Sequence, residues 1–515
     1  AAPVNTIRVT TDDGLILHTE ITLPERLPAP AVLIRTPYGT PAHRQEATGW
    51  AKRGYAAVVQ DVRGRYRSAG SWVPYAHEGR DGAATISAVA ASEWCDGRVV
   101  CLGSSYSAHC ALAAAAANPG PVATIVVAVP ALSLRRVARD RNGTPRFYGH
   151  SWWWFQHGHG RTCQPCPIHD ASPDEPGALS VLPAVGLPSA AGVPTEGWSL
   201  PWLRDGLPDS SPVPLDAPPP TGTPPAPLLV LAGLHDVFRD DALDLADGWP
   251  VRADVVVGAW QHDLGLVHRE GDAALRRHPA HRIKPGQFIA SWLARTLRDP
   301  DTSTPGSRYF ALEGTGAWAR PARPRLPCPL SAAQTRFVAD PHHPHPSAMG
   351  PVDVHDISRR EDLARFVSDP VRIATDVVGR ILVRLSGLAA HTLDGEPVRG
   401  PLDWCVRVAL RPAPADRVHT EARLLQLGHA LVRTPGPRAQ VELPLIARRL
   451  HPGARIEVHV SAHQFPLYAR DPQDGTEPLT ATRLRPARRQ VLQAAVELPL
   501  AELAPDPTDS QEALR

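Results

Sequence analysis

The sequence predicts an α/β protein: a mostly parallel sheet covered on both faces, an inserted cap, and a C-terminal β-sandwich or jelly roll. Three observations carry this reading. Between residues 31 and 132, short β-rich runs alternate with helix-like stretches, as in a parallel sheet flanked by helices. From about 133 to 226 the alternation stops, and strand-like runs then resume. After about residue 300 the helix signal fades and a two-residue apolar period replaces it, broken by Pro, Gly and Asp turns. The expected division is one α/β domain from 1–132 and 227–300, an insertion at 133–226, and a β domain from 301–515. A chain of 515 residues suits about three domains and buries a large core without staples.

The elements follow in order. Residues 6–22 alternate around Asp12-Asp13-Gly14, a hairpin signal. Ala31–Thr36 and Tyr55–Gln60 read as buried strands, with a helix over Pro41–Lys52 between them. Gly79–Trp94 is helix-like, with Ala84, Ile86, Val89 and Ala90 on one face. A strand from Arg98 breaks at Gly103, and the alanine-rich run Ala108–Ala117 must be helix. Val122–Val129, Pro227–Ala232 and Ala253–Gly258 are further strands, and Ile283–Leu297 closes the domain as a helix. Within the insertion lie Trp152-Trp-Trp-Phe155, a Cys/His-rich patch and a proline-rich return with Pro218-Pro-Pro220 and Pro224-Pro225, which should be extended. A break this long inside a domain is expected to cap the sheet where its functional loops emerge. In the last third, Arg380–Leu385, Trp404–Leu410 and Ile456–Val460 are half-buried strands.

Bulk properties exclude several classes. Lys+Arg is 54 against Asp+Glu 52, and a net charge of +2 gives no electrostatic pull toward nucleic acid or an anionic membrane. Lysine occurs only at Lys52 and Lys284, a composition bias rather than a functional patch. No apolar run approaches the ~18 residues that span a bilayer. Ala1-Ala-Pro-Val-Asn5 has neither a basic region nor an apolar core, so no signal peptide is expected, and a cytoplasmic location is the default. Met349 is the only methionine, so the numbering starts after an initiator or a cleaved segment. Seven cysteines in this length make no disulfide framework. The composition leaves a homo-oligomer open and calls for no cofactor.

The chemistry centres on Arg98-Val-Val-Cys-Leu-Gly-Ser-Ser-Tyr-Ser-Ala108. Strand, sharp turn with a serine at the apex, then helix is the layout of a nucleophile elbow, whose crowded turn demands small neighbours. Ser104 would have Leu102 and Tyr106 two residues either side, and Ser107 would sit inside the helix with His109 two residues on. Ser105 has Gly103 and Ser107, so Ser105 is the candidate nucleophile. A serine hydroxyl needs an adjacent base, and the base an orienting carboxylate, in the chain order serine, acid, histidine. Asp236 lies four residues past the strand ending at Ala232, and His262 four past Gly258. Rival acids Asp240 and Asp241 open the helix expected over Asp241–Ala246, where a capping or dipole role explains them. Rival base His235 would double back beside the acid, and His268 lies farther from its strand end. The Tyr106 N–H comes with the elbow as an oxyanion donor. A second donor should arise in Pro37-Tyr38-Gly39, from a backbone N–H or the Tyr38 hydroxyl.

Six motifs now stand in order: Arg35-Thr-Pro-Tyr-Gly39, Gln60-Asp-Val-Arg-Gly64, Glu93-Trp-Cys-Asp-Gly97, Gly103-Ser-Ser-Tyr-Ser-Ala108, Gly233-Leu-His-Asp236 and Gly258-Ala-Trp-Gln-His262. Together they resemble the cocaine esterase/X-prolyl dipeptidyl-peptidase family of α/β-hydrolase serine hydrolases. Ser461-Ala-His-Gln-Phe-Pro-Leu-Tyr-Ala-Arg470 resembles a signature of that family's jelly-roll domain. The resemblance runs from about 5 to 500 and is weakest across 133–226. It implies an α/β-hydrolase core with Ser105 as nucleophile, Asp236 as acid and His262 as base. It also implies the Tyr38 hydroxyl and the Tyr106 N–H as the oxyanion hole. Ala108 departs from the family's usual glycine, a methyl added where helix packs on sheet.

Other features weigh less. His157, His159, Cys163, Cys166 and His169 crowd into thirteen positions, too close for a structural zinc finger, so no metal is expected and the cysteines are read as free or paired. His342-His-Pro-His345 reads as a solvated loop. Trp152, Trp153, Trp154 and Phe155 either line the substrate pocket or anchor the cap. Cys101 and Cys110 are expected in the core. The expected activity is cleavage of a small-molecule ester or amide through an acyl-enzyme. An acyltransferase or cyclising enzyme is the second reading, favoured by a dry aromatic cap, and a non-catalytic binding protein the third. Asp170, Asp174, Glu175 and Asp205 are the cap acids available to a substrate ammonium.

Overall fold

The computed structural model describes residues 5–194, 197–203, 226–265, 283–300, 303–418 and 420–508. The hairpin forms as β1 (Asn5–Thr10) and β2 (Ile16–Thr22), antiparallel around the Asp12-Asp13-Gly14 turn. The parallel strands are β3 (Ala29–Thr36), β4 (Ala56–Asp61), β5 (Cys95–Ser104), β6 (Val122–Ala128), β7 (Leu228–Gly233) and β8 (Ala253–Gly258). All six residues of β4, β7 and β8 are buried, as continuous apolar runs between two helical layers must be. β9 (Arg308–Ala311) then joins β8 in parallel, so the sheet runs past residue 300.

The helices are α1 (Arg44–Lys52), α2 (Glu78–Ala90) and α3 (Tyr106–Ala117) on this side of the insertion. α2 stops short of Trp94 because Ala91, Ser92 and Cys95 turn the chain back, with the Ser92 hydroxyl donating to Ala88 O at 2.9 Å. The Pro41 end of the first expected helix is a tight three-residue-per-turn segment, Thr40–His43. Ala108 is fully buried where α3 lies on the sheet, so the methyl group is accommodated.

The insertion is short helices: α4 (Leu134–Ala138), α5 (Phe147–Trp153), a wide π turn at Trp154–Gly158, then α6 (Leu187–Ala190) and α7 (Leu200–Leu203). It has its own apolar core of Phe147, Trp154, Phe155, Trp198 and Trp202, joined by Phe465 and Leu479 from the last third of the chain. The expected proline-rich extended return, together with Asp205 and His268, lies outside the described residues. After the insertion come α8 (Arg239–Asp247) and α9 (Pro285–Thr296).

The remaining strands are β10 (Trp318–Cys328), β11 (Leu330–Gln334), β12 (Arg336–Ala339), β13 (Leu363–Ser368), β14 (Thr375–Ser386) and β15 (Ala389–Thr392). They are followed by β16 (Leu402–Arg411), β17 (Leu425–Thr434), β18 (Arg438–Leu450), β19 (Arg455–Ser461), β20 (Ala487–Gln490) and β21 (Gln493–Ala504). A five-stranded sheet, β11-β13-β19-β16-β17, packs its apolar face against β14, β18 and β21. The second face of that sandwich is not a separate sheet. β9 pairs with β10, and the order β1-β2-β4-β3-β5-β6-β7-β8-β9-β10-β21-β14-β18 makes one thirteen-stranded sheet through both halves. Two-residue periodicity signals strands but not their partners, so this continuity was not readable from the sequence.

Candidate active site

Ser105 stands between β5 and α3 with φ 54° and ψ −123°, a conformation costing on the order of 1–3 kcal/mol that only surrounding structure can hold. It is held at both ends: Ser105 N donates to Ala128 O at 3.0 Å, and Ser105 O accepts from Ala131 N at 3.2 Å. Gly103 is required because a Cβ there would lie 2.2 Å from Ser107 O. The hydroxyl is thereby pushed out of the sheet while Ser107 is buried within α3 and Ser104 ends the strand.

His262 and Asp236 reach it from the neighbouring strand ends. His262 Nε2 is 2.9 Å from Ser105 Oγ, and His262 Nδ1 is 2.7 Å from Asp236 Oδ1. Asp236 is buried, and its Oδ2 accepts from Phe238 N at 3.2 Å, which fixes the carboxylate plane. A carboxylate only accepts, so Nδ1 carries the proton and Nε2 faces the serine. The His262 loop is closed by Gln261 N donating to Gly265 O at 2.8 Å, and the Phe238 ring meets the imidazole edge-on at 5.5 Å. Partial desolvation works against the imidazolium, but the hydrogen bond and charge of Asp236, helped by Asp263, leave the His262 pKa raised above 6.5. His235 points elsewhere, 2.8 Å from Glu313.

Tyr38 approaches from the end of β3. Its hydroxyl accepts from Trp153 Nε1 at 3.2 Å and is near enough to Ser105 for the two side chains to interact. Burial pushes its pKa up to about 12, so it remains a proton donor. In the 37–39 loop, Pro37 has no N–H and Tyr38 N already donates to Thr36 Oγ1 at 3.1 Å. The Tyr106 N–H is at the first helical position, where no intrahelical acceptor exists. The Tyr106 side chain is locked: its hydroxyl donates to Glu78 Oε1 at 2.7 Å and accepts from Tyr75 N at 2.7 Å.

Two positioning groups escaped the sequence reading. Arg65 is buried, donates to Pro37 O at 2.9 Å and to Gly160 O at 2.8 Å, and so ties the Tyr38 loop to the cap. Glu78 anchors Tyr106 from inside α2. Neither has a local signature, since each acts on a residue far away in the chain.

Around Ser105 and His262 lies a cavity of about 280 Å³. The aromatic run divides over it: Trp152 and Trp153 line the cavity, with Trp153 stacked on Tyr106 at 5.8 Å. Trp154 and Phe155 do not line it; they are buried in the cap core, because the π turn rotates them away. Asp170, Asp174 and Glu175 are exposed and off the wall. The acids on the wall are instead Asp140, Asp240, Asp241 and Glu442, and the β domain adds Met349, His429 and Tyr468. Asp240 and Asp241 occupy the first turn of α8, as a dipole role requires, but Phe238 is the cap and both side chains bind arginines, Arg380 and Arg136.

The Cys/His cluster is spread out. His157 lies edge-on to Tyr38, His159 faces Phe155 O, Cys166 faces Trp152 O, and Cys163 is exposed, with both cysteines free. Among the described residues no group of three or more His, Cys, Asp or Glu is placed to hold a metal ion. His345 is not in a solvated loop: it is buried between Asp362 and Arg407. Cys101 and Cys110 are fully buried in the core. No described helix is long and apolar enough to cross a membrane.

Comparison with known proteins gives a consistent set of similarities. Residues 13–263, from the first hairpin through the His262 loop, match the model of the X-Pro dipeptidyl-peptidase (S15) family. Over 90% of its length the chain is 25% identical to the cocaine esterase of Rhodococcus sp. (strain MB1 Bresler), covering 91% of that protein. Among solved structures it is similar to an aminopeptidase from a marine sediment archaeon, Thaumarchaeota archaeon, with a TM-score of 0.77, 19% identity and 96% of each chain covered. It is also similar to an α-amino acid ester hydrolase, with a TM-score of 0.76, 20% identity, and 97% of this chain and 96% of that one covered. At these identities the two solved structures speak for the fold.

Proposed function

We propose that this chain is a serine hydrolase of the cocaine esterase/X-prolyl dipeptidyl-peptidase family, that Ser105, His262 and Asp236 are its catalytic triad, and that it cleaves a small-molecule ester or amide. The observation that carries this is the hydrogen-bonded line Ser105–His262–Asp236, at 2.9 and 2.7 Å, drawn from three separate strand ends.

Ser105 Oγ attacks the carbonyl carbon while His262 Nε2 takes its proton, and Asp236 holds the other ring N–H and steadies the imidazolium. Negative charge forming on the carbonyl oxygen meets the Tyr38 hydroxyl and the Tyr106 N–H. Trp153 donates to the Tyr38 oxygen, which leaves the tyrosine proton free to point at the oxyanion. Collapse expels the leaving group, protonated by His262, and leaves an acyl-Ser105 ester. Water then attacks with His262 as base and releases the acid. Hydrolysis is placed ahead of acyl transfer because the His262 side chain is 48% exposed, which gives water a route to the acyl-enzyme.

Intact-mass spectrometry after incubation with a panel of activated esters and amides tests the proposal. The expected result is an adduct of one acyl group on the wild type that is absent from Ser105→Ala. Turnover of the panel by Ser105→Ala at the wild-type rate would overturn it.

A further inference from the structure

The cavity that opens on Ser105 carries three arginines on its wall: Arg141, which pairs with Asp244 and Glu442, and Arg146 and Arg239. Arg146 precedes α5 in the cap, and Arg239 opens α8 just after Asp236. Both are braced on the same loop: Arg146 Nη2 donates to Val237 O at 3.3 Å, and Arg239 Nη1 to Asp236 O at 3.2 Å. Arg146 also lies over the Phe238 ring at 5.6 Å, the ring that touches His262. The two guanidinium groups therefore border the reacting centre.

What they lack is an acid in direct contact: Asp236, Asp240 and Glu313 act on Arg239, and Asp140 and Asp241 on Arg146, only through longer-range charge. Arg146 Nη1 and Arg239 Nε are buried without an acceptor, and neither arginine has a carboxylate within 4.0 Å among the described residues. The wall carboxylates have arginine or backbone partners of their own, although Asp241 Oδ2 is buried without a hydrogen bond. Asp240 binds Arg380 and Leu445 N, Glu442 faces Arg141 and Arg325, and Asp241 pairs with Arg136 at 2.7 Å. Asp140 accepts from Asn142 N, Thr144 N and the Tyr468 hydroxyl. A guanidinium cannot shed its proton, and a buried charge without a partner is costly. Burial holds Arg239 below its ordinary range, and desolvation together with Arg407 and Arg239 pushes the half-buried His429 down to about 3.

We propose that Arg146 and Arg239 form an anion subsite, and that the natural substrate is an ester or amide carrying a carboxylate. This rests on the Ser105 reading above. A carboxylate in the cavity would lie beside two guanidinium groups that no carboxylate of the described residues meets within 4.0 Å, and charge-assisted contacts of this kind discriminate strongly against neutral analogues.

The test compares kcat/KM for matched esters at neutral pH. One pair places the charge on the acyl half: 4-nitrophenyl hydrogen glutarate against its methyl ester. The other places it on the leaving group: 4-carboxyphenyl butyrate against 4-carbamoylphenyl butyrate. In at least one pair the anionic member should be preferred tenfold or more, and Arg146→Gln and Arg239→Gln should each cut that preference several-fold. Neutral esters turned over with no anionic preference in either pair would overturn the subsite and leave the triad standing. So would a preference for 4-(trimethylammonio)phenyl butyrate, or an anionic preference untouched by both variants. Failure to turn over any ester of the panel would remove both readings.

Discussion

The floor and the wall of the cavity are built in different ways. The floor is Ser105, Asp236 and His262, each within four residues of the end of a parallel strand whose backbone is buried. The wall is assembled from the cap, the loop after Asp236 and the β domain, across separations such as the 328 residues between Tyr468 and Asp140. The floor is rigid because a strand end has few conformations open to it. The wall depends on how three regions dock, so it can change while the floor stays the same. That separation lets one reaction serve different substrates.

The largest expected effect falls on the floor. Ser105→Ala should lower turnover by about four orders of magnitude or more with melting behaviour unchanged, read from steady-state kinetics and thermal unfolding. Activity retained in Ser105→Ala would mean that the floor is not where the chemistry occurs.

Next comes the packing of the wall, where neighbouring residues should behave differently. Trp154 is buried in the cap core, so Trp154→Ala should cost about 3–5 kcal/mol in urea unfolding. Trp152 lines the cavity, and Trp152→Ala should change KM while costing no more than about 1 kcal/mol in stability. Equal stability losses would erase the distinction between cap core and cavity wall.

Tyr38 sits where floor and wall meet. On the proposed mechanism Tyr38→Phe removes a donor to the oxyanion, and should lower kcat by roughly a hundredfold with little change in KM. It also strips the Trp153 N–H of its acceptor, at about 1 kcal/mol of stability. A kcat within about threefold of wild type, with acylation rate-limiting, would move the second donor elsewhere in the loop.

The smallest effect is in pH dependence. The base must be neutral, so kcat/KM should fall on the acid side with a midpoint above 6.5, set by the raised His262 pKa. In Asp236→Asn the partial desolvation remains while the carboxylate charge is gone, and the midpoint should drop. A raised folded-state pKa adds stability below about 6.5 that is lost as pH rises through the folded value, so unfolding measurements should show the opposite slope to activity. A midpoint unchanged in Asp236→Asn would separate the acid from the base.

How much of this was legible follows the same division. The positions of Gly103, Ser105, Asp236 and His262 could be read directly because turn geometry and strand ends are local: each position is set by residues a few places away. The strand positions after residue 300 were legible for the same reason, with β14, β16 and β19 falling over the expected runs, but β16 and β19 are buried on both faces rather than half-buried. Trp153 and Trp154 were not separable, since adjacent residues of one type differ only through the π turn that sends one to Tyr38 and the other into the cap core. His345 looked solvated because its partners, Asp362 just before β13 and Arg407 in β16, lie 17 and 62 residues away in the chain.

The sequence by itself determined the order of elements, the elbow, and which serine, acid and histidine can meet, because alternating burial and tight turns are properties of short segments. Only the tertiary structure decided the single sheet running through both halves, the Arg65 clamp on Pro37, and the arginines of the cavity wall. These depend on pairing and docking between segments far apart in the chain, and no local pattern encodes which distant partner a strand edge or a guanidinium will find.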